Sequence, residues 1–172
     1  MTTRSSSSPE VCVRFVRTEV YRDPQLARAG AALLSGDEWV ALARLRAPDA
    51  RRDQLAAHVL ARRLLAEITG CVPAGIRFRR TELGRPEYVP PPGVAPLRFS
   101  LSHGDGVALC VVALGCGVGA DVESLRNLGP DPLGAVGEVL SREEKHGIAA
   151  LPADGRAAAL LALWTIKEAI GK

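Results

Sequence analysis

Two acidic side chains stand two positions apart in a glycine-rich stretch of this 172-residue chain. They are Asp121 and Glu123, in the sequence Gly-Ala-Asp-Val-Glu. If the stretch forms a strand, alternate side chains share a face, and both carboxylates point the same way. Carboxylates held so close repel each other unless a cation lies between them, and Mg²⁺ combines one or two protein carboxylates with phosphate oxygens. Taken alone, two acids at this spacing are more often solvated side chains.

A second group of polar residues lies close to the end of the sequence. Trp164, Glu168 and Lys172 are spaced four apart, so they line one face of a helix if this segment is helical. Without other motifs, Glu168 and Lys172 would be an ordinary ion pair on the surface of that helix.

Two further candidate sites contain a histidine and an arginine. Ser102 and His103 precede a Gly-Asp-Gly turn, where glycines allow backbone amides to face a ligand. A lone histidine is more often a hydrogen-bonded structural residue, and Asp105 would be an unwelcome charge beside a phosphate. Arg85 lies in the predicted turn Leu-Gly-Arg-Pro, where an arginine is otherwise simply solvated.

The elements that position these residues follow from periodicity. Alternating apolar residues predict strands at 11–15, 76–79, 97–102 and 118–123, and the apolar run 107–114 predicts a strand buried on both faces. The strands at 97–102, 107–114 and 118–123 would form an antiparallel meander. Capping boxes at Ser35 and Ser141 predict helix starts, and a long helix runs from Asp49 to Gly70. Loops are predicted at Pro24–Gly30 and at 127–137.

Composition limits the class of protein. Hydrophobic residues make up 47 % of the chain, which is enough for a core, and the net charge is +3. Because the arginines are spread out, this charge favours an anionic ligand or an acidic partner over nucleic acid. The N-terminus has no apolar run typical of a signal peptide, and no stretch is long and apolar enough to cross a membrane. We therefore expect a cytoplasmic protein with no membrane partner.

Four motifs in a fixed order carry a family resemblance. They are Leu83-Gly-Arg-Pro86, Phe99-Ser-Leu-Ser-His103, Gly119-Ala-Asp-Val-Glu123 and Trp164-Thr-Ile-Lys-Glu-Ala-Ile-Gly-Lys172. In this order they resemble the 4′-phosphopantetheinyl transferases of the surfactin-synthetase-activating type. The resemblance implies an α+β fold with two pseudo-related halves, each with a small antiparallel sheet packed on a helix. We expect a flexible tail at 1–9, an N-terminal half at 10–117 and an incomplete C-terminal half at 118–172.

The resemblance also implies an activity and roles for individual residues. Members of this family move the 4′-phosphopantetheine arm of coenzyme A to a serine of an apo acyl or peptidyl carrier protein, releasing adenosine 3′,5′-bisphosphate. Mg²⁺ or Mn²⁺ is the expected cofactor. The implied metal ligands are Asp121, Glu123 and Glu168; the implied catalytic residues are Glu168 as base and Lys172; the implied coenzyme A contacts are Arg85, Ser102, His103, Lys172 and Arg52. Lys167 is expected to have a supporting role only.

One departure from the family pattern keeps other functions open. Family members carry further strands after the position of Lys172, so we expect the parent chain to continue or another chain to supply the missing half. A compact variant whose final helix docks on the first half is the alternative. A truncated, non-catalytic module that binds coenzyme A or a carrier protein is the second hypothesis, and a different magnesium-dependent phosphohydrolase is the third.

Overall fold

The computed structural model describes residues 10–82, 84–128 and 139–172. In chain order, the elements are β1 (Val11–Arg17), α1 (Pro24–Ala31), α2 (Gly36–Ala43), α3 (Pro48–Thr69), β2 (Arg77–Arg80), β3 (Pro86–Val89), β4 (Leu97–Gly104), β5 (Val107–Leu114), α4 (Arg142–Ala150) and α5 (Ala153–Gly171). Short 3-10 helices cover Thr18–Arg22, Pro73–Gly75 and Leu125–Asn127. The predicted tail 1–9, Leu83 of the predicted turn and most of the predicted loop 127–137 lie outside the described residues.

An antiparallel sheet with the order β1-β5-β4 forms the centre of the fold, and β2 and β3 pair separately. The predicted hairpin of β4 and β5 is confirmed. The predicted third strand at 118–123 is wrong, because this stretch is extended but does not form a strand. Instead, β1 pairs with β5, with Arg14 opposite Cys110. The prediction that β5 is buried on both faces is also wrong, since buried and half-buried residues alternate along it.

The long helix α3 packs one face against this sheet. The core joins residues of α3 to those of β4, β5 and the β2–β3 pair, and includes Ala61, Leu64, Leu65, Ile76, Tyr88, Phe99, Cys110 and Val112. The rings of Phe78 and Phe99 lie 5.2 Å apart, so the β2–β3 pair is fastened to the edge of the same core. The helix ends at Gly70, which has a left-handed φ of 72° as predicted for a C-terminal glycine.

The helix starts follow local capping chemistry. Both predicted capping boxes are confirmed, with Ser35 capping α2 and Ser141 capping α4. The predicted loop at Pro24–Gly30 is wrong, because it forms α1. There the Asp23 carboxylate accepts from the Gln25 amide at 2.7 Å, and proline follows at the first helical position.

A second, smaller core lies between α4 and α5. Leu140, Ile148 and Leu160 are buried in it, and Trp164 packs against them. Outside this core, Lys167 forms an ion pair with Glu144 at 3.0 Å, which also links the two helices. The predicted division of the chain at residue 118 stays a prediction. None of the described helices is long and apolar enough to cross a membrane.

Candidate active site

Residues 119–123, called here the acidic stretch, lie along β4 and are held there by serine side chains. The amide of Ala120 donates to the Ser100 hydroxyl at 3.0 Å, and the amide of Val122 donates to the Ser102 hydroxyl at 3.2 Å. Ser100 and Ser102 are two apart, so they share a face of β4, and their spacing matches that of the two amides. Hydroxyl groups therefore take the place that backbone carbonyls have in a sheet ladder, which fixes the stretch without making it a strand.

Asp121 is the most deeply buried acid of this stretch, with only 4 % of its side chain exposed. Its Oδ1 atom accepts from the Ser102 hydroxyl at 3.0 Å and from the ammonium group of Lys172. Its Oδ2 atom is buried and has no hydrogen-bond partner within the described ranges. A buried carboxylate is costly unless it is paired. One oxygen of Asp121 is therefore neutralised by the lysine, and the other is available to a ligand.

Glu123 is exposed, and a side chain of α5 donates a hydrogen bond to it. The indole Nε1–H of Trp164 donates to Glu123 Oε1 at 3.3 Å. Trp164 itself packs on the small core between α4 and α5. Because Trp164 and Lys172 belong to the same face of α5, one helix face contacts both acids of the stretch.

The end of α5 approaches the acidic stretch very closely at Gly119. A Cβ atom built on Gly119 would lie 1.6 Å from the carbonyl oxygen of Ala169. Only glycine allows the helix backbone to come this near. The glycine of the Gly-Ala-Asp-Val-Glu motif therefore sets the distance between α5 and the carboxylates.

Glu168 lies on α5 between Trp164 and Lys172 and is half-buried. Within the described ranges, no three acidic, histidine or cysteine side chains form a group that could hold a metal ion. The metal set of Asp121, Glu123 and Glu168 therefore stays a prediction. The buried, unpartnered Oδ2 of Asp121 fits a hard cation, because carboxylate oxygens are the ligands that Mg²⁺ prefers.

Ser102 and His103 are neighbours on β4 with different surroundings. The Ser102 hydroxyl contacts three groups, namely the Val122 amide, Asp121 and Lys172 Nζ at 3.2 Å. Its observed role is to organise the acidic stretch, and the expected contact with coenzyme A stays a prediction. Burial lowers the pKa of His103; nearby Lys172 lowers it further, whereas Asp53 opposes this shift. The histidine is therefore biased towards its neutral form.

The turn after His103 carries Asp105, the acid expected to be unwelcome beside a phosphate. Asp105 and Gly106 both have positive φ, 46° and 83°, as a tight two-residue hairpin requires. The Asp105 carboxylate accepts from the Ser124 hydroxyl and lies 3.6 Å from the Arg126 guanidinium. Its charge is thus paired with the segment that follows Glu123. The expected conflict with a phosphate is reduced by this pairing.

Arg85 connects the predicted turn to the acidic stretch. Its Nη2 donates to the carbonyl oxygens of Phe99 at 3.3 Å and Val118 at 3.1 Å. It lines a cleft of about 740 Å³ between β3, β4, residues 117–119 and α5, and Lys172 lines the same cleft. That volume is typical of a small-molecule site. The structure therefore brings Arg85 and Lys172 to one cleft, and the contacts with coenzyme A that the resemblance implies for them stay a prediction.

Arg52 lies at the N-terminal end of α3, where it pairs with Asp49 at 2.7 Å. Its Nε is buried, and no described atom accepts its hydrogen. The following residue, Asp53, accepts from the Gly106 amide at 3.2 Å, so this end of α3 is fastened to the turn after His103. Arg52 does not line the cleft of Arg85. Its expected contact with coenzyme A stays a prediction.

Sequence reasoning missed two buried polar groups. Asp53 is buried and also accepts from the Thr18 hydroxyl. Arg62 is only 1 % exposed, and its Nη2 donates to Glu38 at 2.6 Å. His58 lies one turn before Arg62 and contacts the same carboxylate at 2.9 Å. Because His58 and Arg62 are four residues apart, they lie on one face of α3, and this spacing was the signal in the sequence that they could share a partner.

Comparison with known proteins relates this site to one enzyme family. Residues 117–172 match the model of the 4′-phosphopantetheinyl transferase superfamily. This region contains the acidic stretch and α5, and thus includes Asp121, Glu168 and Lys172. The match leaves the subtype open.

Two curated relatives extend the similarity over more of the chain. The L-aminoadipate-semialdehyde dehydrogenase-phosphopantetheinyl transferase of Eremothecium gossypii is 36 % identical over 131 residues, which are 71 % of this chain and 46 % of that protein. The 4′-phosphopantetheinyl transferase HetI of Nostoc sp. is 31 % identical over 139 residues, which are 81 % of this chain and 58 % of that protein. The chain thus spans about half the length of the curated relatives it matches.

A solved structure supports the same fold. The Helicobacter pylori holo-[acyl-carrier-protein] synthase, solved in complex with coenzyme A, superposes with a TM-score of 0.50 at 13 % identity. The alignment covers 62 % of this chain and 100 % of the synthase. The chain has this α+β fold. At 13 % identity, the similarity to this synthase is evidence for the fold alone.

Proposed function

We propose that the chain belongs to a 4′-phosphopantetheinyl transferase of the surfactin-synthetase-activating type. It would transfer the 4′-phosphopantetheine arm of coenzyme A to a serine of an apo acyl or peptidyl carrier protein. The observation that carries the proposal is the pairing of the buried Asp121 carboxylate with Lys172, inside the region that matches the superfamily. A buried acid beside an ammonium group, with one oxygen that has no partner in the described part of the chain, suits a reaction at a diphosphate.

The proposed reaction is one phosphoryl transfer. The hydroxyl oxygen of the carrier serine attacks the phosphorus that bears the pantetheine arm, and a new P–O bond forms. The bond from this phosphorus to the bridging oxygen of the diphosphate breaks, and adenosine 3′,5′-bisphosphate leaves. The serine proton is taken by a base, for which Glu168 is the candidate. The negative charge of the leaving group is stabilised by the Lys172 ammonium.

Different residues of the chain are proposed to bind the phosphates of coenzyme A and the metal ion. Arg85 and Lys172 present positive charge to the same cleft, which suits the phosphates of coenzyme A. His103 is proposed to contact the 3′-phosphate. Mg²⁺ or Mn²⁺, held by Asp121, Glu123 and Glu168, would neutralise the diphosphate.

A transfer assay tests this function. The protein is incubated with coenzyme A, Mg²⁺ and an apo carrier protein, and the mass of the carrier is measured. A transferase raises the carrier mass by one phosphopantetheine group, and the Asp121→Asn variant does so much more slowly. Binding of coenzyme A without a mass increase would favour the non-catalytic module instead. Cleavage of coenzyme A with an unmodified carrier would favour a phosphohydrolase.

A further inference from the structure

The pairing of Lys172 with Asp121 has a consequence for metal binding. The Lys172 ammonium contacts Oδ1 of a carboxylate that is almost completely buried, and it also donates to the Ser102 hydroxyl. We propose that Lys172 is a built-in counter-ion of the metal site, whose ammonium group on Oδ1 opposes the binding of a divalent cation to the Asp121 carboxylate until it moves to another partner. This inference rests on the proposed function, because it takes Asp121 as a metal ligand.

The need for a counter-ion follows from burial. The Ser102 hydroxyl donates to Asp121 and accepts from the neighbouring Val122 amide, so the carboxylate is held on the buried side of the stretch. An ionised carboxylate in such a place requires a positive partner. Among the described residues, Lys172 is the cation that contacts it, and the second carboxylate, Glu123, accepts only from the neutral indole of Trp164. The lysine therefore keeps the site organised before metal binds.

Lys172 is also able to leave. Its side chain is 36 % exposed, compared with 4 % for Asp121, and it lines the cleft that it shares with Arg85. Its flexible stem lets the ammonium exchange the carboxylate for an anion in that cleft. The phosphates of coenzyme A would be such an anion.

Two thermodynamic consequences follow. Metal binding to the free protein is weakened, because the cation competes with the ammonium group for Asp121 and is repelled by it. Coenzyme A relieves this competition by giving Lys172 a new partner. Metal and coenzyme A therefore strengthen each other's binding by the same factor, and part of that factor comes from Lys172.

The test measures metal affinity without substrate. The full chain is freed of metal, and Mn²⁺ alone is added while the electron paramagnetic resonance signal of free Mn²⁺ is followed. We expect Lys172→Met to bind Mn²⁺ more tightly than the unmodified protein, by roughly ten- to a hundredfold, the range that corresponds to a lost charge-assisted hydrogen bond. Lys172→Arg keeps the positive charge and is expected to bind as weakly as the unmodified protein.

Matched variants connect this result to the site. Lys145→Met removes an equal charge from an exposed position on α4 and should leave the affinity unchanged. Asp121→Asn should abolish the high-affinity binding of the Lys172→Met protein. Lys172→Gln gives a second uncharged variant, so a folding defect in one variant, seen by circular dichroism, does not remove the test.

The outcomes separate this inference from the proposed function. Equal or weaker Mn²⁺ binding by both uncharged variants would overturn the counter-ion role, even if the transfer assay succeeds. Tighter binding by these variants supports the role, even if no carrier is modified. Absence of Mn²⁺ binding in every variant would overturn both the counter-ion role and the metal site of the proposed function.

Discussion

Gly119 and Ala169 lie so close that no side chain fits between their backbones. A Cβ on Gly119 would be 1.6 Å from the Ala169 carbonyl oxygen, and backbone atoms of a helix cannot move away as a flexible side chain can. This contact brings the last turn of α5, and with it Lys172, against the acidic stretch. The distance between α5 and the acidic stretch therefore depends on the absence of a single methyl group at Gly119.

The first prediction concerns that methyl group. Gly119→Ala should displace the end of α5 and lower the free energy of unfolding by about 1–3 kcal/mol, as overpacking usually does. Urea unfolding measures the free energy, and hydrogen exchange of the amides of α5 shows whether that helix loosens. Gly117→Ala is the control, because a Cβ at Gly117 meets nothing within 4 Å. If both variants behave alike, the close contact does not hold α5.

The second prediction concerns the buried cluster of Glu38, His58 and Arg62. Burial alone would raise the pKa of Glu38, but hydrogen bonds from His58, Arg62 and the Ser35 amide outweigh it and lower the pKa to about 2. A lowered pKa means that the folded state releases this proton more readily than the unfolded chain. The stabilisation that the ionised Glu38 gives to the folded state is therefore complete above the ordinary pKa of 4.5, and it is lost as the pH falls towards 2.

Unfolding measured between pH 6 and about pH 2.5 tests this expectation. The unmodified protein should lose stability steeply in this range, by on the order of 2–3 kcal/mol from Glu38 alone. Glu38→Gln should be less stable at pH 6 and should show a shallower slope. Asp37→Asn, at the neighbouring exposed acid, is the control for a general change in charge. Parallel slopes for Glu38→Gln and the unmodified protein would contradict the lowered pKa.

Some of these features could be predicted from local sequence. The capping boxes, the end of α3 at Gly70 and the helical spacing of Trp164, Glu168 and Lys172 depend on neighbours within one turn. The start of α1 could also be predicted, since Asp23 before a proline is a helix-start pattern, but the loop predicted from Pro24 and Gly30 does not take it into account. Local signals were sufficient to predict these features, because the partners of each residue were local, although the loop prediction overlooked the signal at α1.

Other features depend on partners that are far apart in sequence. An alternating pattern at 118–123 predicts an extended backbone, but it does not reveal that the amides bind the hydroxyls of Ser100 and Ser102 rather than carbonyl groups. Arg62 lies beside apolar residues, yet its partner Glu38 is 24 positions earlier. Likewise, the motifs indicated that Asp121 and Lys172 share a site, but the direct ion pair between them needed the structure.

The third prediction concerns His103 and the 3′-phosphate. His103→Ala should weaken the use of coenzyme A by roughly tenfold or more, the loss expected when a hydrogen bond to phosphate is removed. Dephospho-coenzyme A lacks this phosphate, so its kcat/KM should scarcely change. Because burial lowers the pKa of His103 and disfavours its charge, binding of the phosphate should be accompanied by proton uptake near neutral pH. Equal losses for both substrates would assign His103 to folding or to chemistry.

The fourth prediction concerns Glu168, which lies between two residues with observed contacts. Trp164, one turn earlier, donates to Glu123, and Lys172, one turn later, donates to Asp121. Side chains four apart follow one face of a helix, so Glu168 belongs to the face that contacts both acids. This placement is the reason to expect a third carboxylate at the site, as a metal ligand and as the base for the incoming serine.

Glu168→Gln changes the charge of this residue but keeps its shape. We expect the melting temperature to shift little, because no described side chain hydrogen-bonds to Glu168. Transfer should fall by on the order of a hundredfold or more, because an amide is a poorer ligand for a hard cation and cannot accept the serine proton. Turnover and melting temperature are measured on one preparation, with Glu143→Gln on the exposed face of α4 as the control. If Glu168→Gln transfers as fast as Glu143→Gln, the base lies elsewhere, and Glu168 is only a polar residue of the helix surface.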